Sequence, residues 1–251
     1  WREKVPYTKN KVKQDLLRKM KEVENDDSFI EIEKYDKRQK IMKEIKIESD
    51  RKDYACGFID RQINSIHHIL EKNGFKDSDK MKTASILHEV HPLVFTELLY
   101  KYDFFKDYST IDFFSLLSCF CDIKVQDSYT TFSPDFLKEE CFFIKERMNY
   151  YTQEEWNHNL SSSGQDTIQY DFMEFIQKWM NCKKEEDSLN VLQEVKIKKN
   201  VFIGDFVKAC LKMVNIAKEL DRVERLDFRE KLREGTSSLM KFICTHDSLY
   251  L

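Results

Sequence analysis

The sequence predicts an all-α protein, a multi-helix bundle with an N-terminal helical arm or stalk, and three observations carry that expectation. Apolar residues recur three and four apart through most of the chain, the period of a helix with a buried face. Breakers are scarce, at five glycines and three prolines in 251 residues. The one stretch with strand-like alternation, Glu194-Val-Lys-Ile-Lys198, has no neighbour to pair with, and a lone strand is not viable. At 41% hydrophobic and 35% charged, with a net charge of -3, the chain has apolar residues enough for a core and charges enough to solvate its surface.

Residues 1–55 form the expected arm. Eight basic and two acidic residues up to Lys21 give way to seven acidic and one basic between Glu22 and Asp36, a segmentation typical of solvated helices. Its apolar stripe is thin: Val12, Leu16, Met20 and Val23, then Ile41 or Met42 and Ile45. Residues 56–251 form the expected bundle. Its first helix carries Ile59, Ile63, Ile66 and Leu70 and ends at Asn73-Gly74, a left-handed cap. Leu93–Tyr102 and Ile111–Cys121 are too densely apolar for a one-sided stripe and read as buried helices. Ser133-Pro134 offers a capping hydroxyl before a proline at the first helical position, with Phe136, Leu137, Cys141, Ile144 and Met148 on the face that follows. Thr152-Gln-Glu-Glu155 fits a capping box before Trp156. Ser161-Ser-Ser-Gly-Gln165 reads as a loop, Phe172, Phe175, Ile176 and Trp179 restart the helical period, and a charged connector fills Asn181–Asp187.

Several function classes drop out. No two glycines lie five apart, so neither a GxxxxGK[ST] phosphate loop nor a GxGxxG fingerprint is present. The longest nearly apolar run, Phe113–Cys121, falls well short of the roughly 20 residues that span a bilayer, so no membrane partner is expected. Seven scattered cysteines without a CxxC pair suggest reduced thiols in an intracellular protein, of cytoplasm, nucleus or viral factory. His88 and His91 lie three apart, with Pro92 next, rather than four apart as a zincin helix requires. Of the adjacent His67 and His68, one is expected to pack and the other to be solvated. Cys119 and Cys121 point apart on a helix and read as core. No catalytic residue or metal ligand is assigned. The chain opens on Trp1 rather than methionine, so a piece of a longer protein is expected.

The segment Gly204–Leu220 is more informative. Phe206, Cys210, Met213, Ala217 and Leu220 make one apolar face, and Val207, Leu211, Val214 and Ile216 cover much of the rest. What stays polar is a narrow stripe of Lys208, Lys212, Asn215 and Glu219. Such a stripe suits a rigid rail of ammonium groups along a phosphate-rich single strand, and equally the plain solvent face of a core helix. Pattern alone allows both.

The tail Thr245-His-Asp-Ser-Leu-Tyr-Leu251 resembles the SLYL ending of the exosome-associated DExH RNA helicases of the Ski and Mtr type. Upstream, in the same order, Gly204-Asp-Phe-Val-Lys208 resembles the start of that family's ratchet helix, and Trp179 the tryptophan of its YAWCKG-like segment. Phe95-Thr-Glu-Leu-Leu99, Ser115–Phe120 and Leu70–Phe75 are similar to its LTEL, ALLSCF and LxxLGF segments. The resemblance implies the DSHCT domain, the helical bundle that closes the helicase ring, with the returning arch or stalk helix before it. It implies single-stranded RNA as a partner, moved with 3′ to 5′ polarity, together with a RecA-like helicase core and subunits of an RNA-processing complex. It places ATP and Mg in that core, with no cofactor in the chain shown. Lys208 and Lys212, with Asn215, would then touch RNA, and Lys82 would match the arginine of a GRVACEI-like segment. Lysine keeps the charge and loses the planar fork, so phosphate contacts survive better than base contacts. Ile86 stands where the family has an acid, and the Trp179–Gly204 connector is longer than usual; a divergent member, viral or from an AT-rich genome, accounts for both. The rival expectation is a motorless helical adaptor that docks a partner protein through its charged arm, favoured modestly by the near-neutral charge.

Overall fold

A computed structural model describes residues 10–24, 27–123, 125–160 and 168–245. Among the described residues it is all helix and turn. The helices are α1 (Asn10–Glu24), α2 (Asp27–Cys56), α3 (Phe58–Lys72), α4 (Asp79–Ser85), α5 (Pro92–Lys101), α6 (Thr110–Leu117), α7 (Lys138–Asn157), α8 (Met173–Asn181), α9 (Glu185–Lys199), α10 (Ile203–Leu220) and α11 (Leu226–Leu239), with short 3-10 turns between some of them. The chain divides into two compact units, Trp1–Ile63 and Asn64–Leu251. The SLYL tail from residue 246 on, the 161–165 loop and the first nine residues of the arm lie outside the described residues.

In the first unit, α2 runs for 30 residues and every one from 31 to 50 is exposed. Its apolar residues are spread around the helix rather than gathered on one face, so no side of it is set aside for burial.

The second unit has one continuous core. Ile69 of α3 already belongs to it, and the helix is closed just beyond by Gly74, with a φ of 70°. Phe75 N–H donates to Leu70 C=O and Gly74 N–H to Glu71 C=O, the paired bonds that satisfy a helix's last carbonyls. Phe75, fully buried, continues the packing. Helix α5 buries half of its ten residues and α6 five of its eight, as their density of apolar side chains requires. Helices α6 and α11 approach closely at Gly235. A Cβ on Gly235 would lie 2.0 Å from Phe114, a ring with no exposed surface. Gly235→Ala must push that ring into a filled core, and urea unfolding is expected to show a loss of about 1–3 kcal/mol.

The alternating segment Glu194–Lys198 is helical, as its lack of a pairing partner requires: it is part of α9, where Ser188, Val191, Leu192, Val195 and Lys199 are buried at helical spacing and Ile197 faces out. Four expectations are corrected. The charged connector is shorter than expected, because Glu185, Glu186 and Asp187 form the first turn of α9, where carboxylates favour the positive helix end. Ser133-Pro134 does not start a helix. Thr131 N–H is drawn instead to the Asp171 carboxylate, and α7 begins only after Leu137 takes a left-handed φ of 52°. Thr152 lies inside α7, whose buried face runs through Ile144, Met148 and Tyr151 without interruption. His67 and His68 are both exposed, with the His68 ring 5.3 Å from that of His158. His91 is buried, and its Nδ1 accepts the Val94 N–H to cap α5.

Candidate nucleic-acid interface

Eighteen residues give α10 a length of about 27 Å. Nine of them, spread from Phe206 to Leu220, are buried, so the helix is a rod fixed on most of its circumference. Phe206 meets the Trp179 ring of α8 at 5.3 Å and the Phe172 ring at 6.0 Å. Asp205 in the first turn and Lys218 in the last suit the helix dipole. What the packing leaves open is the predicted stripe, with Lys208 and Asn215 exposed and Lys212 and Glu219 partly so, together with Lys218, which the stripe did not include.

Lys208 and Lys212 line one recess of about 380 Å³ with Asp205, Ala209 and, from the segment after α6, Cys121, Asp122 and Ile123. Lys208 Nζ pairs with Asp205 Oδ1 at 3.0 Å. At 65% exposure of the lysine side chain such a pair contributes little, on the order of 0–1 kcal/mol, and a phosphate can displace it. Lys212 has no ion pair among the described residues. Burial pushes the Cys121 thiol up to about 12, so Cys121 itself adds no charge, and its Sγ is engaged by the Ala209 carbonyl at 3.5 Å. Two aspartates face two lysines here, so the recess is an ordered track of charge rather than a strongly basic patch.

The other predicted residues fall elsewhere. Asn215 is exposed one turn further along α10, outside the recess. Glu219, the last of the stripe, turns inward: its Oε2 accepts the N–H groups of His88 and Glu89 at 2.9 and 3.1 Å, fastening the loop before α5 to the end of α10. Lys82 stands on α4 in a second, larger cleft of about 640 Å³. It pairs with Asp79 at 2.9 Å, and that hydrogen bond raises its pKa. Asp122 and Ile123 escaped sequence reasoning, since they come to Lys208 and Lys212 from more than eighty residues away and no local pattern marks them.

Comparison with known families matches residues 78–246 to the DSHCT (NUC185) domain. Comparison with curated proteins finds no match. The match covers more than half of the chain and takes in α4 to α11, with both clefts. The chain belongs to the DSHCT domain family, which ties it to the DExH helicases of the Ski type.

Proposed function

We propose that this chain is the C-terminal helical region of an ATP-dependent superfamily 2 DExH RNA helicase and that α10 guides single-stranded RNA past the bundle. The observation that supports it best is the pair Lys208 and Lys212, one turn apart on a rod immobilised by burial, both bordering the same recess. A rigid rail holds ammonium groups at fixed spacing, so binding a strand carries little ordering cost on the protein side. The role of these lysines is electrostatic guidance, with no bond made or broken on them. The sequence has no glycine phosphate loop. A RecA-like core would hold ATP and Mg, and RNA-processing subunits would be further partners.

The test is fluorescence anisotropy of labelled oligo(U) on the full chain. Lys208→Glu with Lys212→Glu is expected to weaken binding roughly tenfold at low salt and to flatten log K against log[salt] by about 1.4, near 0.7 for each phosphate no longer neutralised. Both side chains are solvent-facing, so circular dichroism should show an unchanged fold. Unaltered affinity and slope would overturn the rail.

A second function, the motorless adaptor, is favoured by α2, which exposes Ile32, Tyr35, Ile41, Met42 and Ile45 in the first unit. The genomic reading frame separates the two: a Walker loop and DExH motif upstream of Trp1 supports the helicase, and a start codon beside it supports the adaptor.

A further inference from the structure

The polar stripe of α10 does not stop with the helix. Lys208, Lys212, Asn215 and Glu219 are spaced four, three and four, and the next step of three reaches Arg222. Arg222 N–H donates to Glu219 C=O at 3.2 Å, so a tight turn closes α10 and keeps Arg222 beside the end of the stripe. Twelve residues at about 1.5 Å separate Lys208 from the helix end at Leu220 by about 18 Å, and Arg222 follows in the turn beyond it. There it lines the second cleft, with Lys82 of α4, Tyr100 of α5, Phe104, Glu224 and Arg225.

The lining divides by role. Arg225 is committed to the fold: it pairs with Asp103 at 2.7 Å and lies 4.5 Å over the Phe104 ring. Arg222 carries no ion pair among the described residues. Lys82 is held only by Asp79, both side chains about four-fifths exposed, an ion pair that a phosphate can replace. Tyr100, partly exposed and backed by the buried Phe104 at 5.2 Å, forms an aromatic wall, and Glu224 supplies an acceptor. Asp103, Phe104 and Phe105 all have φ between 43° and 56°, left-handed values costly for such side chains. Lys231 ties this loop down, donating to the Phe105 and Tyr108 carbonyls.

A purely cationic cleft would suit inorganic phosphate alone. Two cations, an aromatic wall and a carboxylate, Glu224, beside the Asp79 that pairs with Lys82, suit a whole nucleotide, whose phosphate, base face and 2′-hydroxyl ask for those three things. The volume lies within the roughly 300–1,000 Å³ usual for small-ligand sites. We propose that this cleft is a nucleotide subsite at the far end of the α10 rail: Arg222 and Lys82 hold a phosphate, the aromatic wall borders the base, and Glu224 accepts from the sugar or base. The proposal rests on α10 being an RNA rail, and it places the strand's course along the helix from Lys208 to Arg222.

The experiment uses the full chain and oligo(U) of about 4 and about 12 nucleotides, within the range that single-strand sites cover. Lys82→Glu with Arg222→Glu should leave binding of the short oligomer unchanged and weaken the long one roughly tenfold, its salt slope falling by about 1.4. A long oligomer carrying 5-iodouridine should photocrosslink within the Pro92–Lys101 peptide, which holds Tyr100. Normal binding of the long oligomer by this variant, with Lys208→Glu and Lys212→Glu still weakening it, would overturn the cleft and keep the rail. Loss in the cleft variant alone would keep the cleft and overturn the rail. If neither variant weakens RNA binding and no crosslink forms, both fall, and a peptide ligand takes the nucleotide's place.

Discussion

Asp171→Ala is expected to destabilise the bundle by about 3–5 kcal/mol in urea unfolding, among the largest effects of any single substitution on its polar residues. Lys199 and Asp171 are only 8% and 3% exposed, and they pair at 2.8 Å between α9 and the start of α8. Lys199 Nζ also donates to the Tyr129 carbonyl at 2.9 Å and to Thr131 Oγ1, while Asp171 Oδ1 accepts the Thr131 N–H at 2.6 Å. One buried ion pair therefore gathers the segment before α7, the entry to α8 and the end of α9. Removing the carboxylate strands an ammonium in the interior and frees the 129–131 segment at once. The double variant Asp171→Ala with Lys199→Met removes both charges and should recover at least half of the loss. A cost below about 1 kcal/mol for Asp171→Ala would mean that water reaches the lysine and the pair is not a staple.

That ion pair shows where sequence reasoning stops. Nothing in the local pattern marks Lys199 as buried, because it sits in the basic run Lys196–Lys199 whose other lysines are solvated. The same blindness explains the errors around it. Ser133-Pro134 carries the residue types of a helix start, but Thr131 is claimed by Asp171, forty residues on, and the helix waits until Lys138. Thr152-Gln-Glu-Glu155 has the letters of a capping box, and a buried helical face running through it overrides them. Legible features were those decided within one helix: the Gly74 cap, the dense burial of α5 and α6, and the narrow stripe of α10. The spacing of Lys208 and Lys212 was readable for that reason. The opposite wall at Asp122 and Ile123 and the fastening of Glu219 to the loop before α5 depend on distant segments meeting in space, which periodicity does not encode. Arg222 is an intermediate case, since the 4-3-4-3 spacing points to it, while its place beside the end of the stripe depends on the tight turn that closes α10.

Trp179 connects stability to the candidate rail. Its ring has no exposed surface, its Nε1 donates to Leu239 C=O at 2.9 Å, and it meets Phe206 of α10 at 5.3 Å and Phe242 at 6.0 Å. Trp179→Ala deletes the largest side chain of the core and is expected to cost about 3–5 kcal/mol, a large share of the roughly 5–15 kcal/mol that holds a typical domain. Trp179→Phe keeps a ring against Phe206 and removes one of two bonds to the Leu239 carbonyl, which the Lys241 N–H still reaches at 3.1 Å, so about 0.5–1.5 kcal/mol is expected for the lost bond. The two variants separate fold from function. If α10 guides RNA only as a rod fixed by its packing, Trp179→Phe, folded at low temperature, should bind oligo(U) with the salt slope of the unaltered chain, because every lysine that meets a phosphate is still in place. Trp179→Ala should lose affinity in step with the fraction unfolded, followed by circular dichroism in the same samples. A folded Trp179→Phe protein with a flattened salt slope would mean that the lysines depend on more than the rigidity of α10, and would direct attention to the Asp122–Ile123 wall that faces them.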